Sequence, residues 1–350
     1  MKAMKIEHYF CLLLLILGAS CNPEVDVYAP ERELYAVYGV LNPKSSFQLV
    51  SITKVFQSEG DASLYAATND LTARGMNVSL KSDSNEIHAH LIEMPDSMNG
   101  QFPMTTGVYR FETTGPNAIL PGQRYDLLIT RAVDTSFSIR AHTVVPTAPI
   151  LISPEGPYYS AATQTFTYPT IEFSEETGVT FRRGTGIGFE VRVYVKYWDG
   201  LAEKTARWGP TGIFLEPKRC HADLANGQMC RIIPKRSVTN ALHSAFATYH
   251  PDTVYVLDTV KVAHVLDQLS KKSWVEITSV DSALTYYLYA NNPFGFGTNL
   301  LIDKQEYSNI SGDNIGIFGS INTTFRYFFL GSCSRWLAGL RGVRPGGCGD

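Results

Sequence analysis

The sequence is short of the features that usually announce a chemical task. It has no G-x-S-x-G elbow, no H-E-x-x-H pair, no Gly-Lys-Ser/Thr phosphate loop and no EF-hand loop. Those absences remove the commonest signatures of serine hydrolases, zinc peptidases, P-loop nucleotidases and calcium hands. They leave open a Ser/His/Asp triad assembled from distant positions, which is recognised only by geometry. Charge is sparse too: charged residues make up 18% of the chain and the formal net charge is -3. A mildly acidic, mixed surface has no footprint for nucleic acid and no polybasic cluster for anionic lipid, so no nucleic-acid partner is expected. The apolar run Cys11–Leu17 falls well short of the ~20 residues that a helical span requires. No internal repeat or low-complexity tract stands out.

What is present begins with a leader. Lys2 and Lys5 precede the apolar run, Gly18-Ala19-Ser20 are small, and Cys21 follows. Basic, apolar and small segments in that order form a secretory signal. With the cut placed before a cysteine, residues 1–20 read as a lipoprotein signal peptide and Cys21 as the lipidation site. A single acyl chain holds a membrane only marginally, while two or more hold firmly. The alternative is conventional cleavage with Cys21 left as a plain thiol. Residues 21–33, polar and carrying Pro23 and Pro30, read as a tether.

Hydrophobic residues at 44% supply ample core material for a chain of 350 residues, a length that suggests two domains. From Leu34 the pattern has a period of two. Short strands are expected at Leu34–Val40, Phe47–Val55, Asn77–Leu80, Glu86–Ile92, Val108–Glu112, Tyr125–Arg131 and Ser138–Val145, separated by Pro, Gly and Asn. The expected fold is mainly β: two antiparallel β-sandwich-like domains, the second with one or two short helices. The first would span 34–145. Prolines at 146, 149, 154 and 157 suggest a linker over 146–158, because proline removes ladder donors and fixes φ. A mostly β domain over 159–330 and a tail over 331–350 would follow.

In the second half, Phe189, Val191, Val193, Val195 and Tyr197 are expected to point inward while Glu190, Arg192, Tyr194 and Lys196 point out. Ser237–Tyr249 switches to helical spacing, with Ser237 as a candidate cap. Thr253–Val260 and Trp274–Val280 return to strand, Asp281 caps a short helix, and the last strands are Asn314–Ser320 and Thr324–Leu330. Ile315, Ile317 and Phe318 are expected to bury.

Among the six cysteines, Cys11 leaves with the signal and Cys21 takes the lipid. Cys220, Cys230, Cys333 and Cys348 remain as disulfide candidates, an even number in an exported chain. Three connectivities are possible, and the local pairs Cys220–Cys230 and Cys333–Cys348 close the shortest loops. No cofactor and no metal is expected. His88-Ala89-His90 could present two imidazoles on one strand face, but no third ligand at a telling spacing accompanies them. Gly184-Thr185-Gly186 imitates a phosphate loop yet precedes a strand, where a hairpin entry is the plainer reading. Aromatics in loop-like stretches are candidate platforms for a partner, a glycan or a peptide: Tyr158 and Tyr159, and Phe294 and Phe296. The plainer reading is that such rings plug the ends of a sandwich.

Two resemblances add to this reading. Gly107-Val108-Tyr109-Arg110-Phe111 with Leu120-Pro121-Gly122-Gln123-Arg124-Tyr125 is similar to a pattern of Ig-like and transthyretin-like sandwich modules. Gly188–Trp198, Asp281–Leu288 and Tyr307–Ser320, taken with the leader, resemble uncharacterised outer-membrane lipoproteins of Bacteroidota, catalogued as a domain of unknown function. That likeness implies an outer-membrane, lipid-anchored protein of the cell envelope, at the periplasmic face or the cell surface, in the company of a TonB-dependent transporter. It implies no catalytic residue. The leading expectation is therefore a non-enzymatic binding or accessory module. An envelope hydrolase with a spatially assembled triad and a surface adhesin or structural protein are the alternatives.

Overall fold

The last of the described strands explains most of the architecture. Ile315–Leu330 forms one continuous strand of 16 residues instead of the two expected. Its first part, Ile315 to Ser320, pairs in parallel with Ala36 to Leu41 of the first described strand. Its second part, Ile321 to Phe328, pairs antiparallel with Ser273–Val280. One strand thus joins strands from both halves into a single sheet.

In this computed structural model the described residues are 33–55, 64–65, 69–94, 106–134, 136–162, 165–173, 178–198, 202–209, 227–246, 255–256, 273–290, 307–331 and 334. Their strands are β1 Tyr35–Leu41, β2 Phe47–Lys54, β3 Met76–Lys81, β4 Glu86–His88, β5 His90–Met94, β6 Thr106–Glu112, β7 Arg124–Arg131, β8 Ser138–Val144, β9 Ile150–Ser153 and β10 Tyr158–Ser160. They continue with β11 Thr165–Thr167, β12 Thr170–Ile171, β13 Gly178–Arg182, β14 Gly188–Trp198, β15 Glu203–Trp208, β16 Gln228–Ile232, β17 Tyr255–Val256, β18 Ser273–Val280 and β19 Ile315–Leu330. Two α-helices, α1 Lys235–Phe246 and α2 Ser282–Ala290, and a 3-10 turn at Gly115–Asn117 are described beside them. The fold is mainly β and sandwich-like, as the alternation predicts.

The long sheet runs β15-β14-β18-β19-β1-β2-β6-β5, with β12 and β17 added at its margins. A four-stranded sheet, β4-β3-β7-β8, and a three-stranded sheet, β16-β13-β9, supply the remaining core walls. Alternation along β19 sends Phe318 into one apolar cluster with Tyr35, Val37, Leu80, Phe111 and Ile129. Phe328 and Leu330, further along the same face, enter a second cluster with Phe181, Phe189, Val191, Val193 and Ile277. All five inward residues expected on β14 are buried.

Several local expectations give way to tertiary partners. Glu86–Ile92 is not one strand: it breaks at Ala89, so β4 joins the four-stranded sheet while β5 pairs with β6. Within the stretch expected as a linker, Ile150–Ser153 forms β9 and pairs with β13. α1 starts at Lys235, two residues before Ser237, and the backbone N–H groups of Ser237 and Val238 donate to Pro234 O at 3.0 and 3.2 Å. Ser237 is therefore inside the first turn and is no cap. Ile315 is exposed, because alternation opposite Phe318 turns it outward beyond the reach of α2. Ile317 and Phe318 bury on opposite faces, in different clusters.

The chain from Asn309 to Gly319 shows why its residues are what they are. Gly316 has φ +119°, and a Cβ there would lie 2.0 Å from Val37 O, so only glycine lets β19 lie against β1. At Gly319 a Cβ would meet Leu284 Cβ at 2.6 Å, which places α2 directly on the sheet. The Asp281 carboxylate caps that helix, accepting from Leu284 N–H at 2.9 Å as expected.

Candidate functional site

Two surfaces concentrate unusual side chains. The first is the outer face of the long sheet. Register aligns Arg207, Tyr194, Trp274 and Tyr327 in one row across β15, β14, β18 and β19. Arg192, Glu276 and Phe325 form the adjacent row. Tyr194 and Trp274 stack with centroids 4.6 Å apart and planes at 12°. Phe325 meets Tyr327 edge-on at 5.4 Å, and Lys44 Nζ lies 5.6 Å from the Phe325 centroid. Phe325 is 47% exposed and Tyr38, two strands along from β18, 42%. Polar groups rim the rings: Arg192 pairs with Glu190 at 2.6 Å, and Tyr194 donates to Glu276 Oε1 at 3.3 Å. Burial pushes the Glu276 carboxyl up, against the opposite pull of Arg192 and Tyr194.

The second surface is a groove of about 600 Å³ on the outer face of the four-stranded sheet. Its floor is two register rows: Glu86, Lys81, Asp126 and His142, then Ser79, Leu128 and Arg140. Its wall is the segment before β19, which extends the sheet past β8. Asn309 Nδ2 donates to His142 O at 3.1 Å and to Phe318 O at 2.7 Å, while Asn309 Oδ1 accepts Phe318 N–H at 2.9 Å. Ser311 N–H donates to Arg140 O at 2.8 Å, and Arg140 N–H returns to Ser311 Oγ at 2.7 Å. Arg124 is held by Asp126, with Nη2 and Nε at 2.8 and 3.1 Å from Oδ1, and this contact pushes its guanidinium up.

Beneath the groove lies a buried polar tie. Asp281 accepts from Thr143 Oγ1, whose oxygen is 2.7 Å from Ser320 Oγ, and Ser320 donates to Val144 O at 3.1 Å. Burial pushes the Asp281 carboxyl up from the ordinary value of 3.8, against hydrogen bonds from Thr143, Leu284 N–H and Ser320. The tie fastens β8, α2 and β19 together.

The expected site residues fare unevenly. Tyr158 and Tyr159 are exposed, but they sit on β10 and not in a loop. Neighbours along a strand point to opposite faces, so the two rings cannot share one platform. Tyr158 also donates to Glu155 Oε2 at 2.5 Å. Phe294, Phe296, Cys21, Cys220, Cys333 and Cys348 lie outside the described residues. Cys230 is buried on β16 and disulfide-bonded. His88 and His90 fall on different sheets because of the break at Ala89, and no cluster of His, Cys, Asp and Glu fit to hold a metal occurs among the described residues. In the glycine loop, Thr185 and Thr147 exchange reciprocal backbone-to-hydroxyl bonds at 3.0 Å, which makes that loop a clasp. Among the described residues no helix is long and apolar enough to cross a membrane.

No family model and no curated protein matches the chain.

Proposed function

We propose that this is a lipid-anchored, non-enzymatic binding or accessory module of the outer membrane, tethered through Cys21 and working beside a TonB-dependent transporter. The observation that carries the binding half is the aromatic row on the outer face of the long sheet. A patch of stacked and edge-on rings rimmed by charged groups is the composition of a partner surface. The leader supports the anchor, and the likeness to Bacteroidota lipoproteins supports the membrane and the neighbour. In the same reading Cys230 pairs with Cys220, and Cys333 with Cys348, each closing a short loop in an oxidising compartment.

Crosslinking in native membranes tests the proposal, with Trp274→Ala and Phe325→Ala beside the wild type. A defined membrane partner captured by the wild type and lost from the double variant is the expected result. Recovery of the protein alone in both would overturn the partner reading. Palmitate labelling of wild type and Cys21→Ala tests the anchor separately, and equal labelling of the two would remove it.

A further inference from the structure

We propose that the groove between β4 and the 307–314 wall binds a ligand through an anionic oxygen group: a carboxylate, sulfate or phosphate. It deepens the binding-module reading by naming a ligand class, and it is tested on purified protein, without the membrane partner.

The reasoning starts from donors without acceptors. The side chains of Lys81 and Arg140 face the groove from β3 and β8 and have no hydrogen-bond or ion-pair partner among the described residues. On the floor between them, Ser79 is only 6% exposed, and its hydroxyl has no partner among the described residues. That hydroxyl opens onto the groove, where it can donate or accept. Ser311 Oγ already accepts the Arg140 backbone N–H, so its own proton remains to be donated. Asn309 contributes nothing further, since both of its polar atoms are spent on the wall.

Acceptors are fewer. Asp126 is committed to Arg124, which leaves Glu86 facing the two cations from β4. A guanidinium fork, an ammonium and two hydroxyls around one concavity suit an oxyanion, which accepts from all of them. The groove volume lies within the range of small-molecule sites.

The test is isothermal titration calorimetry of the full chain in detergent with sodium glucuronate, sulfate and inorganic phosphate, and with glucose as the neutral control. Saturable binding of at least one anion is expected, with glucose silent, and the anion that binds tells a sugar acid from an inorganic ion. Arg140→Ala and Lys81→Ala should each weaken binding by about tenfold, the worth of one charge-assisted hydrogen bond. Glu86→Gln should strengthen it, a gain that misfolding cannot imitate. Failure of all three anions to bind would overturn the proposal. So would binding that Arg140→Ala and Glu86→Gln both leave unchanged, which would mark an adventitious ion only.

Discussion

The side chain of Asn309 pairs with the backbone of Phe318 as a neighbouring strand would, donating to its carbonyl at 2.7 Å and accepting its N–H at 2.9 Å. The same amide also reaches His142 O on the four-stranded sheet. Asn309→Ala strands these backbone groups at the edge of a core, so a loss of about 2–3 kcal/mol is expected. Urea unfolding would show it as a lower midpoint with an unchanged slope.

Gly316→Ala should be worse. The new Cβ would sit 2.0 Å from Val37 O at φ +119°, so steric clash and backbone strain act together. The parallel β1–β19 pairing cannot form around it, and a fall in soluble yield with rapid proteolysis of the N-terminal half is the expected outcome. A variant folding like the wild type would refute this close approach.

Burial raises the Asp281 carboxyl above 3.8, so the folded state holds that proton more tightly than the unfolded state. The group's contribution is therefore greatest below 3.8 and declines as pH rises through the raised folded value. Asp281→Asn keeps a capping oxygen but does not titrate. Its stability relative to wild type should improve between about pH 4 and about pH 7. Urea midpoints of both proteins at the two pH values check this, and a constant difference would contradict it.

Phe325→Ala removes a ring that is 47% exposed, so stability should change by no more than about 0.5 kcal/mol. Partner capture should nevertheless fall. The pairing of the two readouts, thermal unfolding and crosslinking yield, separates a contact surface from a core residue.

Local patterns carried much of the fold. Strict alternation announced β14, because Phe189 to Tyr197 read the same on either side of any register, and Asp281 announced its helix because capping needs only three residues of context. The parallel union of β1 with β19 was hidden, since Ala36 and Ile315 carry no mutual mark at that separation. The break at Ala89 was hidden for the same reason: β4 and β5 differ in partner, not in composition. The groove was the least legible feature. Lys81, Ser79 and Arg140 are ordinary outward strand residues until register sets them in adjoining rows and Asn309 walls them in. The aromatic row likewise needed three ladders to appear.

The β1–β19 ladder also dictates an order of events in synthesis. Tyr35 leaves the ribosome long before Ile315 exists, so β1 must wait with one edge unmatched until the chain as far as Ile315 has been made. A chain built this way stays unfinished through that interval. Its nascent form offers a chaperone a long interval in which to act.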